Sequence, residues 1–255
     1  SQNKFIMSYD QSRQQEFCPF FLISLFSPLI CPTLFASDQP HWGQVWTRNM
    51  VSSETNLPSN FDPKTGQNIK WSAKLGTEAH STPVVANGRV YIGTNNGEPR
   101  NPKHQGDRGV LMCFDEKSGK FLWQLVVPKK RWLTGDISGP EDPYLDWPNC
   151  GLSSPATVDG NRVYIVSSRG EVLCLDPHGL ANGNDGPFKD EARHQTPEDA
   201  AQLIPADETD GDIIWAFDMT SSAGIYNHDG AHSTIIVDGD LLYLNTGTGV
   251  DNTHK

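Results

Sequence analysis

Two histidines occupy matching places in the chain, His80 and His232, each directly before a Ser-Thr pair. Two imidazoles at equivalent places could share a metal ion if a third ligand joined them. The nearest candidates along the chain for that ligand are His228 and Asp229. The alternative is that both histidines face water or make ordinary hydrogen bonds, and on this interpretation we predict no metal site.

The chain carries no motif for nucleotide binding or for an activated serine. It has no Gly-x-Gly-x-x-Gly or Gly-x-Ser-x-Gly element, and its Gly119-Lys120-Phe121 lacks the hydroxyl of a Walker-type loop. Cys113, Cys150 and Cys174 are an odd number of cysteines without metal-ligand spacing. We therefore predict no catalytic residues and take an enzyme to be the weaker hypothesis.

Aromatic residues stand among charges in the segment 129–148, which contains Trp132, Tyr144 and Trp147. Binding residues concentrate on loops that a rigid scaffold holds in place. We therefore predict these three side chains, together with His80 and His232, as contacts of a ligand or partner. The alternative is that the aromatic rings pack over the base of their own loop.

Three segments of the chain align with one another, at 81–93, 153–165 and 233–244. Each has a β-rich run, then an Asn-Gly or Asp-Gly pair, then a second β-rich run with Tyr at the same place. Asn-Gly and Asp-Gly pairs are typical of tight hairpin turns because both residues tolerate positive φ. The three segments therefore predict three β-hairpins.

Two more strands are predicted after each of the first two hairpins. The segment 109–115 matches 170–176, and a last strand ends in Trp123 in the first copy and, after a polar insertion, in Trp215 in the second. The segment 64–71, ending in Trp71, has the pattern of that last strand alone. Four-stranded units that bury their faces against one another form a propeller, so the sequence predicts an all-β fold, a β-propeller of four-stranded antiparallel blades.

The pattern S-x-P-x-V-x-x-G-x-V-Y-x-G, followed by V-L-x-x-D-x-x-[ST]-G-x-x-x-W, resembles the PQQ-binding-like, or quinoprotein-type, propeller repeat. It is also similar to secreted planctomycete-type propeller proteins and to the propeller lipoprotein of outer-membrane assembly. The resemblance implies that Trp71, Trp123 and Trp215 dock adjacent blades and that Gly119 serves the turn before a Trp strand. It also implies an N-terminal fragment of a larger propeller, with about two and a half blades.

Dehydrogenases of this family hold a flat quinone with Ca²⁺, an Asp base and an adjacent pair of cysteines, and this sequence has no such pair. We therefore expect no cofactor. PQQ with Ca²⁺ stays an alternative that rests on the resemblance, in a PQQ-dependent alcohol or sugar dehydrogenase whose cofactor residues lie mostly elsewhere. The first hypothesis is a non-catalytic cell-envelope scaffold that binds a protein or glycan partner through its loop-bearing face.

The net charge of the chain and the composition of its N-terminal segment indicate which partners and which cellular location to expect. A net charge of −11 excludes nucleic acid as a partner, because phosphate binding needs a basic face. The apolar run 17–30 is typical of a secretory signal, and its prolines disfavour a membrane span. We expect a signal-peptide-like leader at 1–37, a linker at 38–66 and a partial propeller at 67–255, in a secreted or periplasmic protein.

Overall fold

A computed structural model of the chain describes residues 37–44, 46–52, 54–55, 57–130, 148–225 and 233–246. Two four-stranded antiparallel sheets make up most of it. Blade 1 contains, side by side, β1 (Val84–Ala86), β2 (Arg89–Asn95), β3 (Arg108–Asp115) and β4 (Phe121–Pro128). Blade 2 contains β5 (Thr157–Asp159), β6 (Arg162–Val166), β7 (Glu171–Leu175) and β8 (Ile213–Asp218). A third hairpin follows, made of β9 (Ile236–Asp238) and β10 (Leu241–Tyr243).

Helical structure is sparse. The described residues form a 3₁₀ turn at Gly179–Asn182 and two short helices, α1 (Glu191–His194) and α2 (Met219–Ala223). The prediction of an all-β fold with four-stranded antiparallel blades is confirmed, since two such blades and the first hairpin of a third are present. None of the helices in the described ranges has the length and apolar character needed to cross a membrane.

The hairpin turns differ in detail from the prediction. In blade 1 the turn residues Asn87 and Gly88 both have positive φ, at 52° and 73°. In blade 2 the turn residues are Gly160 and Asn161, and only the glycine has positive φ, at 53°. The third hairpin again relies on its glycine, Gly239, at φ 57°. Only the first repeat therefore uses an Asn-Gly pair as the two central residues of its turn.

One apolar core fills the space between the two blades. It includes Tyr91, Leu111 and Trp123 from blade 1 and Ile165 and Leu173 from blade 2. Successive strand residues point to opposite faces, so each blade also has a second apolar face. Segment 71–75 covers part of that face in blade 1, and the third hairpin covers part of it in blade 2. Each blade thus buries its faces against neighbouring segments, as in other repeat proteins.

The segment 64–71, predicted as a lone fourth strand, does not form a strand. Within the described residues its backbone makes one isolated bridge, between Asp62 and Gln67. A strand needs a neighbouring edge for its backbone hydrogen bonds, and no other described strand of the same blade lies beside this segment. Trp71 still packs on blade 1, with its ring centroid 6.2 Å from that of Phe114.

The insertion between β7 and β8, residues 176–212, lies between the outer strands of the two blades. The Gln124 N–H in β4 donates to the Thr209 carbonyl at 2.9 Å, and the Gly211 N–H donates to the Gln124 carbonyl at 2.8 Å. On the other side, the Phe188 N–H donates to the Ile214 carbonyl at 3.3 Å. The insertion is therefore part of the packing between blades.

Candidate functional site

The Ser-containing segments that begin the three repeats lie side by side. The Ser81 hydroxyl donates to the Ser154 carbonyl at 3.3 Å, and the Ser154 hydroxyl donates to the Ser233 carbonyl at 2.7 Å. The same contact therefore recurs from each repeat to the next. The Ser233 hydroxyl in turn donates to the Asn245 carbonyl at 2.7 Å. We call this set of linked segments the serine array.

A cavity of about 380 Å³ opens at the serine array. It is lined by Trp42, His80, Thr82, Ser153, Pro155, Ser233, Thr234 and Asn245. This lining contains an indole, an imidazole, hydroxyls and an amide, and no carboxylate, lysine or arginine of the described residues contributes to it. The cavity thus offers hydrogen-bonding groups beside one aromatic surface, a composition found in ligand sites.

His80 is the predicted contact residue that the structure places in this lining. Its side chain is 51% exposed, and its Nε2 atom lies 3.2 Å from Oε2 of Glu78. His232, the matching histidine, lies outside the described residues. In the described part of the chain, no three His, Cys, Asp or Glu side chains are arranged to hold a metal ion. The contact role of both histidines stays a prediction.

Trp42 reaches the cavity from a segment that the sequence predicts as linker. Gln39 pairs with Val85 through two backbone hydrogen bonds, of 2.7 and 3.1 Å, and the Val158 N–H donates to the Pro40 carbonyl at 2.6 Å. The segment therefore runs along the first strands of both blades and brings Trp42 to the cavity. Sequence reasoning missed this residue because backbone contacts leave no pattern of residue types.

The aromatic residues Trp132, Tyr144 and Trp147 lie outside the described residues. Lys129 and Lys130, which follow β4 and lead toward these residues, are buried. Their role as contacts therefore stays a prediction.

Trp71 and Trp123 make equivalent hydrogen bonds. The Trp123 Nε1–H donates to the Pro177 carbonyl, just after β7, at 2.9 Å. The Trp71 Nε1–H donates to the Glu116 carbonyl, just after β3, at 2.8 Å. Each indole thus bonds to the turn that follows the third strand of the next blade. Trp215 is half-buried and lies beside Tyr164, with ring centroids 6.2 Å apart.

A glycine faces each of the two bonded rings. A Cβ added at Gly119 would lie 2.6 Å from the Trp71 ring, and one at Gly179 would lie 2.8 Å from the Trp123 ring. Both glycines also have positive φ, at 70° and 61°, which L side chains rarely adopt. These contacts support the proposal that the tryptophans dock adjacent blades, a proposal that stability measurements can test.

The buried cysteines are poor nucleophiles. Cys113 lies opposite Tyr91, and Cys174 lies opposite Tyr164, on neighbouring strands. Burial raises the pKa of both thiols to about 12. Nucleophilic attack and metal ligation require the thiolate, so these positions serve packing between strands.

Blade 2 also buries an ionic cluster that the sequence gave no reason to expect. Glu171, 6% exposed, accepts a hydrogen bond from the Ser167 hydroxyl at 2.9 Å and lies 3.1 Å from Nε2 of His194. Arg169 Nε lies 3.5 Å from the other carboxylate oxygen. Burial opposes ionisation, but His194, Arg169 and Ser167 outweigh it and lower the pKa of Glu171 to about 2. The cluster ties the insertion to the start of β7.

The cavity at the serine array does not fit the quinone with Ca²⁺ that the family resemblance implies. Ca²⁺ takes about six to eight oxygen ligands, usually with carboxylates among them. No carboxylate lines the described cavity, and no lysine or arginine there could pair with the carboxylates of the quinone. The described lining therefore supports no reaction step through that cofactor.

Four-stranded antiparallel blades joined through indole contacts define a propeller repeat protein of the PQQ type. The profile of the family described as "Outer membrane protein assembly factor BamB" matches residues 47–124 and 107–252. The chain belongs to this family, and the resemblance seen in its repeats is confirmed.

Two relatives illustrate the breadth of this similarity. Lupanine 17-hydroxylase (cytochrome c) of Pseudomonas sp. is 25% identical over 177 residues, which are 63% of this chain and 23% of that protein. A solved structure of the quinohemoprotein alcohol dehydrogenase ADHIIG from Pseudomonas putida HK5 is 17% identical, with a TM-score of 0.34, and the match covers 72% of this chain and 29% of that one. The chain thus spans about a quarter of the length of these two proteins.

Proposed function

We propose that this chain belongs to a cell-envelope propeller that binds a protein or glycan partner and does not catalyse a reaction. The observation that carries the proposal is the lining of the cavity at the serine array. Hydrogen-bond donors and acceptors beside the Trp42 ring suit a ligand rich in hydroxyl or amide groups, such as a sugar or an extended peptide. Membership of a family described as an outer-membrane assembly factor supports a protein partner.

Export is part of the same proposal. The apolar run 17–30 has the composition of a secretory signal. The family description also points to the outer membrane. We propose that the segment 1–37 directs the chain to the envelope, where its partner is present. Fusion of this segment to a reporter enzyme that is active only after export measures this directly, and a reporter kept in the cytoplasm would contradict it.

Arrays of defined oligosaccharides and defined peptides test the binding function. Ligands found on the arrays are then titrated by calorimetry into the 255-residue chain and its variants. Trp42→Ala and His80→Ala each weaken binding about tenfold, which corresponds to about 1.4 kcal/mol. Trp46→Ala is the matched control, because Trp46 is 65% exposed and does not line the cavity. Ligands that bind both cavity variants as tightly as the parent chain would contradict the assignment of the cavity.

A second candidate function is a quinone-dependent dehydrogenase, which the resemblance of the repeats to quinoprotein propellers favours. The measurement is dye reduction by alcohols or sugars after addition of PQQ and Ca²⁺, with a known quinoprotein as positive control. We expect no turnover by the chain. Turnover that depends on both PQQ and substrate would refute the non-catalytic proposal.

A further inference from the structure

The blade 1 insertion, residues 96–107 between β2 and β3, buries a histidine that makes no side-chain hydrogen bond. His104 is 0% exposed, and neither its Nδ1 nor its Nε2 atom has a hydrogen-bond partner. A neutral imidazole has one N–H donor and one acceptor nitrogen, so both are left unsatisfied. Buried polar groups are nearly always paired. The ring is therefore held in this place by the fold of the insertion and not by bonds of its own.

The backbone around His104 closes the insertion on itself. The His104 N–H donates to the Asn101 carbonyl at 3.1 Å, and the Lys103 N–H donates to Asn101 Oδ1 at 3.1 Å. Asn96 Nδ2 donates to the His104 carbonyl at 2.9 Å and to the Gly106 carbonyl at 3.1 Å. Because the imidazole is fully buried while these bonds are made, we expect it to reach water when the insertion opens.

Lys103, next to His104, joins this insertion to the blade 2 insertion, residues 176–212. Its Nζ atom donates to Asp210 Oδ2 at 2.6 Å, to Asp207 Oδ2 at 2.9 Å and to the Pro205 carbonyl at 3.0 Å. The Asp210 side chain is 3% exposed, so this contact lies largely below the surface. An opening that moves residues 103 and 104 therefore also breaks the contact between the two insertions.

The surroundings of His104 oppose a positive charge on its ring. Burial has the largest effect, the charges of Lys103 and Arg108 add to it, and Asp207 opposes them. Together they lower the pKa of His104 from 6.5 to about 4. In an open insertion the solvated imidazole has its ordinary pKa of about 6.5. The closed and open forms therefore bind different numbers of protons between these two values.

We propose that His104 is a pH-sensitive switch that keeps the two insertions in contact at neutral pH and lets the blade 1 insertion open as the pH falls. Protonation of the closed form would add a second buried N–H without an acceptor, whereas water solvates the protonated ring of the open form. A falling pH favours the form that binds more protons, which is the open one. The stabilisation of the closed form is therefore full above about pH 6.5 and is lost as the pH falls toward 4. Neither His104 nor Lys103 lines the cavity at the serine array, and the switch does not depend on the proposed function.

The carboxylates that Lys103 binds do not produce such an opening. Burial raises the pKa of Asp210 above its ordinary value despite the bond from Lys103, so protonation of Asp210 favours the closed form. Burial also opposes ionisation of Asp207, but the bonds from Thr209 and Lys103 outweigh it and lower its pKa to about 2. Asp207 therefore loses its charge only in strong acid. Between pH 7 and pH 5 the expected opening depends on His104.

Hydrogen exchange of the 255-residue chain between pH 7 and pH 5, corrected for the intrinsic exchange rate at each pH, tests the switch. The opening constant measured at the amides of Lys103 and His104 rises roughly 20-fold over this range, as the two pKa values of His104 require. The amides of β4 keep their protection, because the blade itself stays folded. An opening constant that does not change with pH at residues 103 and 104 overturns the proposal, as does an equal loss of protection in β4.

His104→Phe keeps a ring in the buried place and removes the titrating group. Its opening constant at residue 103 stays the same between pH 7 and pH 5, and since both carboxylates remain, the difference from the parent chain is due to His104. His178→Gln is the matched control, because His178 lies in the blade 2 insertion with its side chain 45% exposed. It retains the parent's pH dependence. A His104→Phe chain that opens with the same pH dependence as the parent would refute the switch.

NMR titration of the parent's imidazoles covers the case in which His104→Phe does not fold. In the closed form the His104 ring stays neutral until the pH approaches 4. A His104 ring that titrates near pH 6.5 without a change in hydrogen exchange would mean that the closed insertion already admits water to the ring, and the proposal would fall.

Discussion

Blade 1 and blade 2 share one ladder of residues but bury it to different extents. In each ladder a Tyr, a Cys and a Trp lie opposite one another on successive strands: Tyr91, Cys113 and Trp123 in blade 1, and Tyr164, Cys174 and Trp215 in blade 2. Tyr91 and Trp123 are each 1% exposed, whereas Tyr164 and Trp215 are half-buried. Blade 2 covers Trp123 completely, so the burial of a blade's tryptophan depends on the next blade in the chain.

The two blades also carry their insertions at different turns. Blade 1 has one between β2 and β3, at 96–107, and blade 2 has one between β7 and β8, at 176–212. The two insertions meet where Lys103 Nζ lies 2.6 Å from Asp210 and 2.9 Å from Asp207. The strand ladder has the same register in both blades, with one shift directly after the cysteine in each. The turns therefore accept added chain without a change in the strand pairing.

The largest expected effect follows from the difference in tryptophan burial. Trp123→Ala removes a ring held in the shared core and lowers the free energy of unfolding by about 3–5 kcal/mol. Trp215→Ala removes a half-buried ring and costs less than half as much. Urea unfolding followed by circular dichroism measures both. If Trp123→Ala unfolds the chain, Trp123→Phe gives a smaller loss on the same scale. Equal losses in the free energy of unfolding at the two positions would show that contact with the next blade does not determine how much each tryptophan stabilises the fold.

The ionic cluster is a second difference between the two blades, because among the described blades it occurs in blade 2 alone. Val110 occupies in blade 1 the place that Glu171 has in blade 2. Glu171→Gln breaks a buried pair and costs about 3 kcal/mol at neutral pH. Removing the charge leaves His194 without its carboxylate partner and leaves Arg169 only the longer contact to Glu198, at 3.9 Å.

The same residue predicts a pH dependence. The folded-state pKa of Glu171 is about 2, below its ordinary value of 4.5, so its stabilisation is full above about pH 4.5 and is lost as the pH falls toward 2. Urea midpoints measured between pH 2 and pH 7 therefore decline on the acid side in the parent chain, and decline less in Glu171→Gln. Parallel acid curves for the two proteins would show that other groups dominate.

Glycine substitutions separate backbone strain from tryptophan docking. Gly88→Ala keeps a positive φ of 73° with nothing within 4 Å of the new methyl group, and it costs about 1 kcal/mol. Gly119→Ala has the same strain and also presses on the Trp71 ring, so it costs about 2 kcal/mol or more. Gly179→Ala costs at least as much, because the new Cβ would lie 2.7 Å from the Asp210 carbonyl oxygen as well as 2.8 Å from the Trp123 ring. Differential scanning calorimetry ranks the three variants. A loss at Gly119 or Gly179 no larger than that at Gly88 would argue that the rings move away without cost.

The sequence predicted the parts of this fold that repeat. The hairpins and the matching Tyr and Cys positions recur in the same order in each blade, so alternation and turn chemistry were enough to find them. The prediction that the fourth strands end in tryptophan was wrong, because Trp123 and Trp215 are the third residues of β4 and β8 and both strands continue beyond them. The predicted strand at 64–71 was wrong because a strand pattern does not guarantee a partner edge. Pairing depends on residues far away in the chain.

The candidate sites were harder to predict because they join unrelated segments. Trp42 reaches the cavity through backbone pairing of Gln39 with β1, which any residue type could make. Glu191 and Asp212 bind adjacent residues, Asn184 and Asp185, only because the insertion folds back between the two blades.

The smallest expected effect concerns the serine array, where equivalent hydroxyls differ between the repeats. Ser154 is fully buried, and its hydroxyl bond to the Ser233 carbonyl is 2.7 Å, whereas Ser81 is half-buried and its bond to the Ser154 carbonyl is 3.3 Å. A short bond in a buried place leaves an unsatisfied carbonyl when it is lost, so Ser154→Ala costs about 1 kcal/mol and Ser81→Ala only a few tenths.

Urea unfolding of both serine variants, with hydrogen exchange across 233–237, measures this difference. Faster exchange there in Ser154→Ala alone would show that blade 2 holds the third hairpin through this bond. If Ser81→Ala costs as much as Ser154→Ala, the two contacts are energetically equivalent despite their lengths. The difference in burial between Ser81 and Ser154 would then have no effect on the free energy of unfolding, and the difference in stability between the blades would come from their tryptophans.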